Sequence, residues 1–249
     1  MGNNAILNIV DVSRSFRGLR AVSGVSFTLN QGEIFGLIGP NGAGKTTLFN
    51  VISGFLKPDS GRVDFLGTNL IGLKPHKICK LGLARTFQIV KPFSHLSILE
   101  NVAVGCFNTT SDIQEAEKRA WEVLRFVGLE KKALAPAMST TTPDRKRLEL
   151  ARALASRPQL LLLDEVMAGL NPTEQMHIVG LVRRVCKEGV TLLVIEHAMR
   201  VIMGLCDRIV VLNHGECIAE GDPRAICSNK DVIEAYLGKG NTFAGNRQD

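Results

Sequence analysis

A glycine-rich segment carries a complete set of groups for binding phosphate. Residues 39–46 match the pattern G-x-x-x-x-G-K-[ST], after an apolar run that ends at Ile38 and before a helical pattern. Glycines let backbone N–H groups fold around phosphates, and the N-terminus of the following helix adds partial positive charge. A glycine-rich turn that merely opens a helix is the alternative. The segment predicts nucleotide contacts from Gly39, Pro40, Asn41, Gly42, Ala43, Gly44, Lys45, Thr46 and Thr47.

Two side chains at the end of this segment have distinct chemistry. The Lys45 ammonium can reach the β- and γ-phosphate oxygens of a bound nucleotide. The Thr46 hydroxyl is the type of oxygen ligand that Mg²⁺ takes beside a phosphate chain. We therefore expect the protein to bind ATP together with Mg²⁺.

An acidic pair follows an apolar run in the second half of the chain. Four leucines at 160–163 predict a buried strand that presents Asp164 and Glu165 at its carboxyl end. Asp164 suits Mg²⁺, held directly or through water, while Glu165 can orient or deprotonate an attacking water. Adjacent acids at a strand end often mark only a solvated turn. Together with the phosphate-binding segment, however, the pair predicts hydrolysis of ATP, with Lys45 and Glu165 as catalytic groups.

The periodicity of apolar residues predicts the elements that position these groups. Alternation at 25–29 and a more continuous apolar run at 33–38 indicate two strands before the first helix, at 45–53. A strand at 62–66, a short helix, a strand at 83–87 and a largely helical stretch at 95–135 follow. The remainder alternates between helix and strand, which predicts a mainly parallel sheet with helices on both faces. There we expect helices at 143–156, 173–188 and 198–205 and strands at 160–163, 191–195 and 209–212.

The composition fits one globular domain. Of the 249 residues, 45% are hydrophobic and 22% are charged, so we expect a single domain over residues 1–237. The Gly- and Asn-rich tail at 238–249 is predicted to be disordered. No apolar run reaches the roughly 18–20 residues that cross a bilayer, and residues 1–4 lack the pattern of a signal peptide. The sequence therefore predicts a cytosolic chain, unless a partner recruits it to a membrane.

Net charge and cysteine content argue against two other kinds of site. The formal net charge is +6, yet basic residues are scattered apart from those at 145–147, so no nucleic-acid partner is expected. The six cysteines form no C-x-x-C pair, and we interpret them as thiols that contribute to packing.

The order of these motifs resembles that of the ATP-binding subunits of ABC transporters. The phosphate-binding segment comes first, the leucine strand with Asp164 and Glu165 second, and the apolar strand 192–195 that runs into His197 third. The resemblance extends from about Leu7 to Leu237. It implies an α/β fold of the P-loop NTPase (RecA-like) type, with a parallel sheet core, an antiparallel β portion and an inserted helical subdomain at about 89–157. It also implies a Mg²⁺-dependent ATPase coupled to transport.

The resemblance assigns roles to four further residues. Gln88 matches the family's glutamine, which contacts Mg²⁺ and the membrane subunit, and His197 matches the histidine that contacts the γ-phosphate. Phe16 matches the aromatic residue that stacks on adenine, and Val22 matches a neighbouring apolar contact. Each has an ordinary structural alternative, such as a surface glutamine at a strand end or an aromatic residue of the core.

Within the family, four short motifs are similar to those of subunits that serve branched-chain amino acid importers. Related amide or urea importers share much of this pattern, so the solute stays open between them. The implied partners are integral membrane permease subunits, a second ATP-binding subunit and, indirectly, an external solute-binding protein. The implied location is the cytoplasmic face of the inner membrane, as a peripheral subunit. The motifs are Arg85-Thr86-Phe87-Gln88, Leu99-Glu100-Asn101-Val102, Ala168-Gly169-Leu170-Asn171-Pro172 and Ile195-Glu196-His197.

One segment departs from the family pattern. In the family, a signature that is usually Leu-Ser-Gly-Gly-Gln lies at a helix N-terminus and covers the γ-phosphate held by the opposite subunit of a head-to-tail dimer. Alignment on Ala151-Arg152 puts five other residues at these positions, and none of them is the usual one. The trans signature segment of this chain is Thr140, Thr141, Thr142, Pro143 and Asp144.

These replacements keep the start of a helix but weaken its use for phosphate. Thr142 suits the N-cap and Pro143 the first helical position. Proline removes a backbone N–H, and the Asp144 carboxylate puts negative charge where a phosphate would lie, although Arg145 and Arg147 could offset that charge. We therefore expect a heterodimer, in which a second ATP-binding subunit with an intact signature completes the stronger site. A homodimer is the alternative.

Two other functions are compatible with part of the pattern. A soluble ABC protein of translation or DNA repair usually has two cassettes in one chain or a long coiled-coil insertion, and this sequence has neither. A regulatory module that has lost hydrolysis should lack Glu165 and His197, and both are present. Asn171 stands where the family usually has Asp, which leaves coupling across the dimer open. The transporter subunit remains the favoured interpretation.

Overall fold

The computed structural model describes residues 5–88 and 92–237, which form two β-sheets and a set of helices. The predicted disordered tail at 238–249 lies outside the described residues. The strands are β1 (Ala5–Phe16), β2 (Leu19–Asn30), β3 (Ile34–Ile38), β4 (Ser60–Phe65), β5 (Thr68–Asn69), β6 (Leu83–Arg85), β7 (Leu160–Asp164), β8 (Thr191–Ile195), β9 (Arg208–Asn213) and β10 (Glu216–Gly221).

The helices lie between and after these strands. They are α1 (Lys45–Ile52), α2 (Pro75–Lys80), α3 (Ile98–Cys106), α4 (Ile113–Val127), α5 (Thr142–Ala155), α6 (Pro172–Lys187), α7 (Met199–Leu205), α8 (Pro223–Ser228) and α9 (Lys230–Leu237), with short 3₁₀ turns at 130–132 and 137–139. Within the described residues, none of them has the length and apolar character needed to span a bilayer.

The larger sheet is mainly parallel, as predicted. Its strand order is β10-β9-β3-β8-β7-β6, and all neighbours are parallel except β10 and β9. In β7, Leu160 and Leu162 belong to one apolar cluster and Leu161 and Leu163 to another. Strand β7 is buried on both faces, so the sheet separates two apolar cores. Burial on both faces explains why the residues of β7 are continuously apolar rather than alternating. The carboxyl ends of β3, β7 and β8 therefore meet at one edge.

The smaller sheet is antiparallel and contains a strand that the sequence analysis missed. Its order is β2-β1-β4-β5. The missed strand is β1, so three strands precede α1 instead of the two we predicted. Strand β1 escapes a period-two pattern because its register against β2 shifts between Ile9 and Val12, and Asp11 has a positive φ of 50°. The extra residue moves the apolar positions out of alternation.

Most predicted elements are present with small changes of boundary. In the second half, the helices α5, α6 and α7 and the strands β7, β8 and β9 begin and end within about one residue of the expected positions. Strand β6 ends at Arg85, two residues earlier than expected. Strand β10 and helices α8 and α9 were not predicted, because short elements with much exposed surface produce a weak pattern.

Helices α3, α4 and α5 lie between β6 and β7 in chain order, and they pack on one another. Ser97 forms a capping box with Glu100 at the start of α3, and Asp112 caps α4. Gly128 ends α4 in a left-handed conformation that a residue without Cβ adopts at low cost. Ala116, Ala120, Leu124 and Val127 form the buried stripe of α4. This is the helical part of the chain for which the boundary 89–157 was predicted; residues 89–91 lie outside the described residues, and the boundary stays a prediction.

Candidate site of nucleotide hydrolysis

The phosphate-binding segment forms the turn between β3 and α1. Gly39 has φ of 150° and Gly44 has φ of 102°, both outside the usual range for a residue with a Cβ. A Cβ on Gly39 would lie 2.1 Å from the Leu212 carbonyl oxygen, and one on Gly44 would lie 2.2 Å from the Ala21 carbonyl oxygen. The close approach of neighbouring backbone therefore requires glycine at both positions.

Lys45 is the first residue of α1, directly after this turn, and is buried. Its Nζ donates hydrogen bonds to the carbonyl oxygens of Gly39 at 2.7 Å and Pro40 at 2.9 Å. Burial lowers the pKa of the Lys45 ammonium, while the nearby charges of Glu165 and Asp164 act in the opposite direction. The ammonium is thus held against the loop by carbonyl oxygens.

A cavity of about 190 Å³ opens beside the loop. It collects groups from three separate parts of the chain, since the carboxyl ends of β7 and β8 lie next to that of β3. Asn41, Gly42 and Thr46 are exposed here. The lining consists of Ala21, Asn41, Gly42, Ala43, Gly44, Lys45, Thr46, Thr47, Glu165 and His197.

Glu165 is the best connected of the predicted catalytic residues. Its Oε1 lies 2.7 Å from His197 Nε2, and its Oε2 accepts a hydrogen bond of 2.8 Å from Gln88 Nε2. The backbone φ of Glu165 is 50°, an unusual conformation for a residue with a Cβ, at a cost of about 1–3 kcal/mol. The structure therefore brings together Glu165, His197 and Gln88, which the sequence places on three different strand ends.

Asp164 is held beneath the cavity by an arginine that sequence reasoning missed. The guanidinium of Arg85 donates a 2.8 Å hydrogen bond to Asp164 Oδ2, and both side chains are more than nine-tenths buried. Arg85 also donates to Asn50 and Ser53. The Asp164 backbone N–H donates to the Thr86 hydroxyl at 3.0 Å. The motif at 85–88 was noted only for its resemblance, because nothing in the local sequence indicates that Arg85 would meet the acidic pair.

The oxygen groups of the site fit Mg²⁺. Thr46 contributes a hydroxyl, Asp164 a carboxylate and Gln88 an amide oxygen, and Mg²⁺ in phosphate sites takes few protein ligands and completes its shell with phosphate and water. No group of three or more His, Cys, Asp or Glu residues that could hold a metal occurs in the part of the chain that the structure describes. Of the three predicted ligands, Thr46 lines the cavity, Asp164 is adjacent to the cavity-lining Glu165, and Gln88 is hydrogen-bonded to it. Binding of Mg²⁺ by these residues stays a prediction.

The two residues predicted to contact adenine differ in exposure. Phe16 is 42% exposed at the end of β1, with the Arg14 guanidinium 5.0 Å from its ring centroid. Val22, in contrast, lies in the core with no exposed surface, so contact with a base would require a local rearrangement. Stacking on Phe16 stays a prediction.

The trans signature segment begins its helix one residue earlier than expected. The N-cap is Thr141, with Thr142 and Pro143 in the first turn, so the predicted N-cap at Thr142 was wrong by one position. Asp144 is buried and receives a 2.5 Å hydrogen bond from Lys132 Nζ and another of 3.0 Å from the Thr141 hydroxyl. Lys132, and not the two arginines that we considered, provides the main compensating charge.

The arginines have smaller roles in this arrangement. Arg147 Nη1 lies 3.9 Å from Asp144 Oδ1, too far for a hydrogen bond. Arg145 is exposed, and its guanidinium donates a long bond of 3.4 Å to the Met138 carbonyl oxygen. Sequence spacing suggested these neighbours, whereas the folded chain brings Lys132 from the 3₁₀ turn at 130–132.

Comparison with known proteins identifies the family. A family model described as ABC transporter matches residues 22–168, which is more than half of the chain. The chain belongs to the ABC transporter ATP-binding family. A second model, described as branched-chain amino acid ATP-binding cassette transporter, matches residues 216–241 of the cassette. The cassette thus matches family models in both halves.

Individual relatives agree with this assignment. The cassette is 39% identical over 251 residues to the high-affinity branched-chain amino acid transport ATP-binding protein BraF of Pseudomonas aeruginosa, covering 94% of this chain and 98% of BraF. A nucleotide-free ATP-binding cassette from an ABC transporter superposes with a TM-score of 0.86 at 30% identity, covering 94% and 100% of the two chains. A dimeric bacterial ABC transporter cassette gives 0.79 at 27% identity, covering 88% and 99%.

The family assignment confirms the main functional prediction. The cassette is an ATP-binding and ATP-hydrolysing subunit that energises an ABC transporter, and a soluble ATPase uncoupled from transport is not favoured. The predicted P-loop fold, with a mainly parallel core and an antiparallel β portion, is confirmed as well.

Proposed function

We propose that Glu165 is the general base of ATP hydrolysis in this cassette. The observation that carries the proposal is its carboxylate, held between His197 and Gln88 at the mouth of the cavity that the phosphate-binding loop lines. A carboxylate fixed at both oxygens is ready to orient water in line with a phosphoryl group. Lys45 would supply hydrogen-bond donors for the charge that develops on the phosphate oxygens, and His197 would contribute its donor when ATP replaces the Glu165 carboxylate as its partner.

Mg²⁺ would be held by Thr46 and Asp164, with Gln88 as a further oxygen donor. When bound, the ion neutralises charge on the phosphate oxygens. Arg85 supports this role because its 2.8 Å hydrogen bond to Asp164 Oδ2 fixes the orientation of the buried carboxylate.

We further propose that the cassette serves an importer of branched-chain amino acids or related small amides. The name of BraF and the description of the model at 216–241 support this solute class. Integral membrane permease subunits would be its partners, with an external binding protein acting through them. The cassette would then lie on the cytoplasmic face of the inner membrane.

The proposed native form is a heterodimer with a second ATP-binding subunit. The dimeric bacterial cassette provides a precedent for pairing. In this chain the helix that would cover the partner's phosphate starts with Pro143 in its first turn, and Asp144 occupies its N-terminal region together with Lys132. That end of α5 already has an internal anion, which disfavours a second one. Each ATP site of such a dimer is a composite site, formed by the phosphate-binding loop of one chain and the signature segment of the other. The site with this chain's loop would be strong, and the site covered by this chain's signature segment would be weak.

The test measures ATP hydrolysis by the cassette alone and by the complex with its co-purifying membrane and ATP-binding partners. Glu165→Gln should reduce hydrolysis at this chain's own site by about a hundredfold or more, because the base is lost while the amide keeps the shape. Binding of ATP should persist, since the loop around Lys45 is unchanged. Glu117→Gln, on the exposed face of α4, is the matched control.

Two results would contradict these proposals. Normal hydrolysis by the complex that carries Glu165→Gln would contradict the assignment of Glu165 as general base. An isolated cassette as active as the complete complex would contradict the proposed heterodimer.

A further inference from the structure

Helix α5 presents a buried lysine directly to the peptide of the catalytic glutamate. Lys146 is 8% exposed, and its Nζ donates a 3.0 Å hydrogen bond to the backbone carbonyl oxygen of Glu165. Long cationic side chains are seldom buried to this degree without a specific partner. None of the roles described above involves this residue.

The contact acts on a backbone that needs support. Glu165 has a left-handed conformation, which a residue with a Cβ keeps only when its surroundings impose it. The Glu165 N–H donates to the Ile195 carbonyl oxygen at 3.0 Å. The Glu165 carbonyl accepts from the Ala168 N–H at 3.2 Å and from Lys146 at 3.0 Å. The neighbouring strand and the local turn therefore each fix one polar group of the residue, and Lys146 is the contact that ties its carbonyl to α5.

The same helix also holds the loop that carries Gln88. One turn after Lys146, the carboxylate of Glu149 accepts a hydrogen bond from the backbone N–H of Phe87, the residue before Gln88. Gln88 in turn binds the Glu165 carboxylate. Helix α5 thus contacts the peptide of the catalytic glutamate through one side chain and the neighbour of its amide partner through another.

The burial of Lys146 also fits the carboxyl groups around it. Glu149 and Glu196 are both buried nearby, and each interacts electrostatically with Lys146. Burial raises the pKa of both carboxyl groups, and the charge of Lys146 acts in the opposite direction. The lysine ammonium therefore interacts with two buried carboxyl groups while it donates to the Glu165 peptide.

We propose that Lys146 is a positioning residue for ATP hydrolysis, which keeps Glu165 in its strained conformation and ties it to the helix that begins with the trans signature segment. The inference rests on the proposed role of Glu165 as general base. Because α5 is continuous from Thr142 to Ala155, a change at its partner-facing start moves Lys146 and, through it, the peptide of Glu165. Lys146 itself does not touch the nucleotide.

The experiment compares Lys146→Met, Lys146→Gln and Lys146→Arg in the complex with its membrane and ATP-binding partners. Lys118→Met, at an exposed lysine of α4, is the matched control. Lys146→Met should lower kcat about tenfold or more and leave KM for ATP within twofold, because misplacing a catalytic group affects the chemical step while the phosphate loop is intact. Lys146→Gln and Lys146→Arg, which keep a donor, should recover part of the rate.

A second measurement reports on the backbone around Glu165 and does not depend on ATPase activity. In the isolated full chain, amide hydrogen exchange over residues 163–168 should be faster in Lys146→Met than in Lys118→Met, with exchange over 39–52 unchanged. Circular dichroism and the thermal midpoint establish that each variant is folded. If Lys146→Met does not fold, Lys146→Gln replaces it in the comparison, with a smaller expected increase in exchange because the amide keeps a donor.

The outcomes separate this inference from the function on which it rests. Control-like kcat and exchange in the folded Lys146 variants would overturn the positioning role, as would an increase in KM with kcat unchanged. Normal activity of Glu165→Gln in the same complex would instead show that the general base is wrong. If Glu165→Gln is inactive and the Lys146 variants match the control, only the positioning role fails.

Discussion

At the scale of single residues, the site gathers several carboxylates in a small volume. Glu196, beside the predicted histidine, is 5% exposed and accepts a hydrogen bond from the Met167 N–H at 2.9 Å. Burial raises the pKa of Glu196 to about 7, with the charge of Glu165 adding to the rise; the Met167 bond, Lys146 and His197 act in the opposite direction. The folded protein therefore holds this proton more tightly than the unfolded chain.

The pH dependence of stability follows from this shift. The contribution of Glu196 is fully present below pH 4.5, its ordinary pKa, and is lost as pH rises through about 7. Relative to Glu196→Gln, which cannot ionise, the wild-type free energy of unfolding should fall by at most about 3 kcal/mol between pH 5 and 8. Urea unfolding of both proteins across this range measures the difference, with Glu117→Gln as the exposed control. Parallel profiles for wild type and Glu196→Gln would contradict the expectation.

At the scale of elements, the start of α5 depends on a contact from outside the helix. Asp144 is buried at its N-terminal turn, and Lys132 reaches it from the 3₁₀ turn at 130–132. An acidic residue in the first turn is favourable for the helix dipole, but a buried carboxylate also needs a hydrogen-bonding partner of opposite charge. The element is thus stable because of tertiary contact as well as local sequence.

Removing the Lys132 ammonium should destabilise the start of α5. Lys132→Met leaves Asp144 with the Thr141 hydroxyl and a distant arginine, so the free energy of unfolding should fall by about 1–2 kcal/mol. Asp144→Asn in the same chain should recover part of the loss, because the unpaired charge disappears. Urea unfolding measures both, and Lys131→Met, an exposed neighbour, is the control. Equal stability of the Lys132 and Lys131 variants would show that the pair contributes nothing.

At the scale of the whole molecule, the trans signature segment and the catalytic residues serve different sites of the proposed dimer. The loop with Lys45 and the carboxylate of Glu165 belong to one composite site, whereas Thr140–Asp144 would cover the other. A chain that carries Glu165→Gln therefore reports mainly on the site that its own segment covers. This separation allows the weak site to be measured by itself.

Restoring the usual signature should strengthen that weak site. In a complex whose cassette carries Glu165→Gln, the changes Thr141→Ser, Thr142→Gly, Pro143→Gly and Asp144→Gln should raise the residual hydrolysis several-fold. The reason is that they return a backbone N–H and remove a negative charge beside the phosphate. Steady-state phosphate release measures the effect, and Lys131→Met in the same background is the control. Unchanged residual activity would mean that the segment does not limit hydrolysis.

Local patterns along the chain predict the phosphate loop, the acidic pair and the alternation of helix and strand. Each of these depends on neighbours along the chain: glycines where backbone must approach, leucines where a strand is buried on both faces, and acids where that strand ends. Local patterns of this kind survive folding unchanged. For the same reason, β1, whose bulge interrupts the alternation, was missed.

The contacts between distant groups depend instead on how the whole chain packs. Gln88 and Glu165 are 77 residues apart, yet the pairing of β6 with β7 brings their side chains to 2.8 Å. Lys132 reaches Asp144, Arg85 reaches Asp164 and Lys146 reaches the peptide of Glu165 only because helices and strands pack in one particular order. Such contacts are set by the burial of whole apolar faces, and a short run of sequence carries no record of its partner across the fold.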